Sequence, residues 1–201
     1  MPVLLGAPRR LAPGPASSVV AVLDSNNNLD IARWNDRVWL AWRTAPTHFA
    51  SGRARYEVAS APEIDGPWRH ETTFAVGADV REGRFVEWQG RLHLYVMELG
   101  THPLRFEPKR THLLVHDGDR WSAPEVVWEG ATVPWRMRVI GGRLTCFAYT
   151  GADRLYSARP EPTALEAWTS DDGRAWRPEP GRLLEGGTEL DAVELGDGSI
   201  V

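Results

Sequence analysis

Two markers recur along the chain at the same interval, and together they constrain the fold more than any other feature. The first is a pair of short apolar strands around a tight turn. It occurs at Ile31–Trp42, Phe85–Val96 and Met137–Ala148, and a further copy opens at Ala192–Val201. The turns are Asn35-Asp36, Gln89-Gly90, Gly141-Gly142 and Asp197-Gly198, each between alternating apolar residues, as in two-residue β-hairpins. The second marker follows each of the first three hairpins. It reads Asp65-Gly66-Pro67-Trp68, then Asp117-Gly118-Asp119-Arg120-Trp121, then Asp172-Gly173-Arg174-Ala175-Trp176. The tryptophans are spaced 53 and 55 residues apart, and the turn arginines Arg37, Arg91 and Arg143 are spaced 54 and 52.

Each period has room for four strands, near 30–35, 37–43, 54–60 and 67–74 in the first copy. A helical solenoid of similar period would need a 3.6-residue apolar pattern, which is absent. The segment Pro162–Trp168 reads as one helical turn or as an outer strand. Four-stranded units repeated radially make a β-propeller. The expected fold class is therefore all-β: an incomplete propeller of four-stranded antiparallel blades, at about 27–76, 77–129, 130–185 and 186–201. Residues 1–26 are expected to be a partly irregular N-terminal segment. Closed propellers have four to eight blades, and Ile200-Val201 falls inside a predicted strand. That favours a truncated product, with self-association through the open blade edge as the alternative.

Composition narrows the functional classes. The 201 residues are 42% hydrophobic and 25% charged, an ordinary globular balance. A net charge of −4 speaks against nucleic acid as a partner. Cys146 is the only cysteine, so neither an internal disulfide nor a cysteine zinc site is expected. No apolar run approaches the ~18 residues of a membrane span. Pro13, Gly14 and Pro15 interrupt any signal-peptide core, so the default location is cytoplasmic. His112 and His116 share a predicted strand, where four residues span ~13 Å, too far for one ion. No metal or cofactor is expected, and no phosphate-loop, dinucleotide or nucleophile-elbow motif occurs.

The third marker fits S/T-x-D-x-G-x-x-W at Thr169, Asp171, Gly173 and Trp176. It resembles the Asp-box, or BNR repeat, of sialidase-like propellers, with weaker versions at Ser60–Trp68 and Asp117–Trp121. The likeness covers roughly 27–201 and implies a structural turn joining the two outer strands. Asp171 is expected to accept backbone N–H groups there, Gly173 to supply a left-handed residue, and Trp176 to bury its ring between sheets. The resemblance also implies a site around the central axis. A sialidase is expected to carry an Arg-Ile-Pro motif, three arginines and a late Tyr–Glu pair. Here there is no Arg-Ile-Pro, and two arginines align. Arabinanase-like propellers place an acid at the mouth of each of the first three blades, where this chain has Asp30, Arg84 and Arg136.

Stepping back four residues from Trp34, Trp88, Ile140 and Leu195 gives Asp30, Arg84, Arg136 and Asp191. These equivalent positions are expected to converge on one funnel, as a substrate site or as a salt-bridge ring closing the channel. Asp30, Asp191 and Glu189 are the candidate catalytic acids, with Asp79 and Glu82 as neighbours. Arg84 and Arg136 are candidates for clamping a substrate carboxylate. The loops between second and third strands add His48, Arg53, Glu98, His102, Arg105, Lys109 and Asp153. Trp42 or Trp135 could stack on a sugar, although core packing is the commoner role for any one of the ten tryptophans. The reading is a sialidase-like glycoside hydrolase propeller acting on a glycan, with a non-catalytic carbohydrate-binding or partner-binding propeller as the alternative.

Overall fold

A computed structural model describes residues 10–11, 14–154, 156 and 161–201. The first sheet runs β1 (Ser25–Trp34), β2 (Arg37–Ala45), β3 (Arg55–Ala61) and β4 (Arg69–Phe74), each strand antiparallel to its neighbour. The second repeats it as β5 (Val80–Trp88), β6 (Arg91–Leu99), β7 (Pro108–His116) and β8 (Glu125–Glu129). The third runs β9 (Val133–Ile140), β10 (Arg143–Thr150) and β11 (Ala164–Ser170). Its outer position is shared by two short strands, β12 (Arg177–Pro178) and β13 (Leu184–Glu185), which both pair with β11. Pro162–Trp168 thus leads into a strand, not a helical turn. A fourth hairpin starts where Glu194 bridges Ile200 and Leu195 N–H donates to the Ser199 carbonyl at 2.8 Å. No α-helix occurs among the described residues, so none is long and apolar enough to cross a membrane. The innermost strands β1, β5 and β9 pack side by side. The whole is an incomplete β-propeller whose described sheets do not close.

The hairpins form where turn chemistry allows φ above zero at two consecutive residues. Asn35 and Asp36 adopt 47° and 54°, Gln89 and Gly90 adopt 52° and 71°, and Gly141 and Gly142 adopt 56° and 75°. This is the twist that matches paired strands.

Strand alternation then builds one core between each pair of blades. In the second blade Phe85, Leu92, Leu94, Val96 and Leu114 face the first blade's Trp39, Tyr56, Val58 and Phe74. From the same strands Val86, Tyr95, Leu113 and Val115 face Met137, Leu144 and Cys146 of the third. Both faces of the blade are buried, which is why β6 shows no polar alternation beyond Arg91. The other face of the first blade carries Val38, Leu40 and Trp42 and is covered by Ala16, Val19, Val20 and Val22.

Each marker tryptophan plugs the core that precedes its own blade: Trp68 joins the face under the N-terminal segment, Trp121 the core between blades one and two, and Trp176 the next. The turn before it is held differently from expectation. Asp172 Oδ1 accepts the N–H groups of Arg174 and Ala175, both at 2.8 Å. Asp117 Oδ1 does the same for Asp119 and Arg120 at 3.0 and 3.1 Å, also four residues before its tryptophan. Asp171 instead points at Arg143 and Arg177, 3.5 and 3.7 Å away. Thr169 Oγ1 donates to Glu179 at 2.8 Å, while Ser170 Oγ accepts Gly173 N–H at 2.9 Å. An Asx-type turn has its carboxylate two and three residues before the amides it accepts. Asp172 stands so before Arg174 and Ala175, while the amides at that spacing from Asp171 are taken, Gly173 N–H by Ser170 Oγ and Arg174 N–H by Asp172.

Asp172→Ala is therefore expected to cost about 1 kcal/mol. Asp171→Ala should cost less than about 0.5 kcal/mol, because its ion pairs are solvent-exposed. Urea unfolding of both variants checks the order, and a larger loss for Asp171→Ala would contradict it. Backbone N–H groups, Ala175 first, hold the Asp172 carboxyl below the ordinary range. Its contribution is present above that range and fades as pH falls through the depressed value.

Candidate functional site

Each innermost strand breaks its pairing near its start. The register shifts between Asn27 and Asp30 in β1, between Arg81 and Arg84 in β5, and around Trp135 in β9. Asn28 and Glu82 hold φ of 49° and 52°, an uncommon state for a side-chain-bearing residue. Tyr56 clamps both bulges: its hydroxyl donates to the Asn28 carbonyl and accepts Gly83 N–H at 3.0 Å. Gly83 is required there, since a Cβ would lie 2.3 Å from the Tyr56 ring. Bulges re-aim side chains, and these three turn Asn28, Glu82 and Trp135 onto one cavity of about 620 Å3. Glu189 lines the same cavity from the segment before the fourth hairpin, and His48, Phe49 and Arg105 line it from the loops between second and third strands.

The cavity is electrostatically asymmetric. Glu82 is buried, accepts Asn28 Nδ2 at 2.6 Å and pairs with Arg84 Nη2 at 2.8 Å. Burial pushes its carboxyl above the ordinary range; Arg84 and Arg81 oppose this, and the charge of Glu189 adds to it. Asn28 Oδ1 is buried and has no hydrogen-bond partner. Behind this wall Arg43 and Asp79, both with fully buried side chains, pair at 2.8 Å, and Asp79 also takes Arg81. Arg43 donates onward to the carbonyls of Thr47 and Phe49, and Arg81 to that of His48. Two arginines anchored on one buried carboxylate thus hold the 47–49 loop over the cavity.

The residues singled out from sequence are distributed unevenly. Asp30 and Asp191 share Arg136, at 3.4 Å each. Asp30 also accepts Phe85 N–H at 2.7 Å, and Arg138 pairs with both oxygens of Asp191. Burial raises the Asp30 carboxyl too, against that backbone N–H and the charges of Arg84 and Arg136. Arg84 stands apart from this chain: its guanidinium lies 4.7 Å over the Trp135 ring and donates to the Trp135 carbonyl at 2.5 Å. None of these four side chains lines the cavity. Asp30 and Arg84 sit two residues beyond Asn28 and Glu82, Arg136 one beyond Trp135, and Asp191 two beyond Glu189.

Of the residues expected in loops, His48 and Arg105 line the cavity, and Arg105, Lys109 and Asp153 line a neighbouring one, Lys109 from inside β7 and not from a loop. Glu98 lies inside β6, not in a loop, and is paired with His112 at 2.7 Å. His102 accepts Leu104 N–H within its own loop, and Arg53 is exposed; neither lines the cavity. Trp42 is in the core. Sequence counting passed over Asn28, and the signals for the bulges were an asparagine tolerant of positive φ and a glycine, Gly83, just ahead of the predicted Phe85 strand. No group of three or more His, Cys, Asp or Glu side chains placed to hold a metal occurs among the described residues.

No protein-family profile and no curated protein matches the sequence. Solved structures do. A family 117 glycoside hydrolase from Zobellia galactanivorans superposes with TM-score 0.61 at 13% identity, covering 85% of this chain and 60% of that one. Trypanosoma rangeli sialidase in complex with sialic acid gives 0.67 at 12%, covering 87% and 33%. Penicillium chrysogenum α-L-arabinanase complexed with arabinobiose gives 0.55 at 11%, covering 86% and 51%. The chain thus spans between a third and three-fifths of these proteins, and what they share with it is the propeller fold of glycoside hydrolases.

Proposed function

We propose that this chain forms part of a glycan-acting propeller hydrolase in which Glu82 is the general acid and Glu189 the second carboxylate. The observation that carries the reading is Glu82 itself: a buried carboxyl with its affinity for a proton raised, aimed by a bulge into a cavity that also holds a second acid. Glycoside hydrolysis needs one carboxyl that keeps its proton to protonate the departing oxygen. It needs another that activates water or attacks the anomeric carbon. Asn28 Oδ1, a buried acceptor without a partner, suits a sugar hydroxyl.

Asp30 and Asp191 fit this role less well, because neither lines the cavity and both are tied into the ion pairs of Arg136. A sialidase-like substrate with its own carboxylate would find Arg105 and Arg81 at the cavity wall, whereas Arg84 and Arg136 are engaged elsewhere. The Asp-box identity of the outer turns belongs to the same proposal, supported by the Asp-Gly turn and its tryptophan in blades two and three.

The non-catalytic reading draws on Asn28. It occupies in the first blade the bulge position that Glu82 holds in the second, and an amide there cannot exchange a proton. Reducing-sugar release from a polysaccharide panel, read beside calorimetric binding of the same glycans, separates the two. Release is expected; binding without release would favour the lectin-like reading, and neither would remove both.

A further inference from the structure

A second cavity, of about 740 Å3, adjoins the first, and both are lined by Leu104, Arg105, Phe106 and Tyr156. These four side chains form the wall between them. Leu104 and Tyr156 are 76% and 75% exposed, the most exposed of the large hydrophobic residues described. Tyr156 meets Phe106 edge to face with ring centroids 6.0 Å apart. An amphipathic ring held upright on a cavity rim offers a flat apolar face to the C–H surface of a sugar, with its hydroxyl left to solvent. On the far side stand Lys109, Asp153 and Glu107. Lys109 and Asp153 have no ion-pair partner among the described residues, and Arg105 makes only a 3.8 Å approach to Glu107. Two cations and two anions in one cavity give a lining without net charge that is rich in both donors and acceptors. That matches hydroxyls, which are both at once.

We propose that the second cavity is a further sugar subsite, so that the ligand is a neutral oligosaccharide chain crossing the Phe106–Tyr156 rim. This rests on the glycan-acting reading and deepens it. A saccharide short enough to stay beside Glu82 leaves the second cavity empty. A longer chain covers Tyr156 and reaches Lys109 and Asp153.

Calorimetric titration of arabino-, xylo- and galacto-oligosaccharides, each as disaccharide and hexasaccharide, tests the inference, with oligogalacturonate hexasaccharide as the acidic comparison. In the series bound, the hexasaccharide is expected to bind at least tenfold more tightly than the disaccharide. Lys109→Ala, at a position that lines only the second cavity, should narrow that difference and leave disaccharide binding unchanged, and Tyr156→Ala, on the rim shared by both cavities, should weaken the hexasaccharide by a larger factor than the disaccharide. Both positions are exposed, and an unaltered thermal melt confirms that folding is intact. Equal binding of both lengths by the parent protein would overturn the subsite while leaving the glycan reading in place. Tighter binding of the oligogalacturonate would overturn its neutral character. No binding of any saccharide would remove the glycan reading and the subsite with it.

Discussion

Glu82→Gln is expected to lower the rate of glycan hydrolysis by about two to four orders of magnitude, the usual contribution of a positioned general acid. It should leave the fold intact. The glutamine oxygen can still accept Arg84 Nη2, and its amide nitrogen can meet the Asn28 side chain turned end for end, which exchanges one unpartnered Asn28 atom for the other and strands no additional buried polar group. The stability effect has a definite sign. Folding raises the Glu82 carboxyl above its ordinary value through burial. The folded protein therefore binds that proton more tightly than the unfolded chain. This contribution is complete below the ordinary carboxylate value and is lost as pH rises through the raised one. Glutamine has no such proton, so the variant should melt no lower than the parent at alkaline pH and show a flatter pH dependence. Initial rates and thermal melts across that range give both readings. A variant keeping more than half the parent rate would sink the assignment. Asp30→Asn should behave in the opposite way, losing stability through its bonds to Phe85 N–H and Arg136 before it loses chemistry.

The blades were legible in the sequence because their causes are local. Asn35-Asp36, Gln89-Gly90 and Gly141-Gly142 can adopt the positive φ pairs of a hairpin turn, and the strands around them alternate or run apolar according to how many faces are buried. The count along each innermost strand leads to Asp30, Arg136 and Asp191, which the structure joins as an ion-pair chain, and passes over the residues that line the cavity, for a physical reason. Strict alternation places Asn28 and Asp30 on one face. The bulge puts Asn28 and Leu29 together opposite Trp42, between the pairs Asn27–Arg43 and Asp30–Ala41, so Asn28 leaves the face of Asp30. The same slip at Glu82-Gly83 separates Glu82 from Arg84. The recurring offset from Trp34 and Trp88 was real, but the cavity-facing residues lie two positions earlier. Glu98 was misplaced because β6 runs on to Leu99, beyond the end of its most apolar stretch. In the outer turn, the four-position motif selected Asp171, while hydrogen-bond geometry selects its neighbour Asp172.

Asp79→Ala is expected to be the most damaging single substitution for folding, at about 3–5 kcal/mol. Arg43 and Asp79 both have side chains at 0% exposure and pair at 2.8 Å. Removing the carboxylate leaves a guanidinium in a site that water does not reach, and also frees Arg81 from its partner. The remaining acceptors on Arg43, the carbonyls of Thr47 and Phe49 and Asn27 Oδ1, lie at 3.0–3.3 Å and carry no formal charge. A loss of this size is a large share of the ~5–15 kcal/mol that holds a typical domain together. The paired replacement Arg43→Met with Asp79→Leu should recover much of it, because two apolar side chains strand no charge. Recovery of stability should not bring recovery of activity. The 47–49 loop, which lines the cavity at His48 and Phe49, hangs on donors from Arg43 and Arg81. Denaturant unfolding of the single and double variants, with hydrolysis measured on the folded double variant, separates the two roles of the pair. A cost below about 1 kcal/mol for Asp79→Ala would mean that water reaches Arg43 and that the pair contributes little more than a surface salt bridge. Full activity in the double variant would mean that the loop keeps its place over Glu82 without the arginine that ties it to the blade.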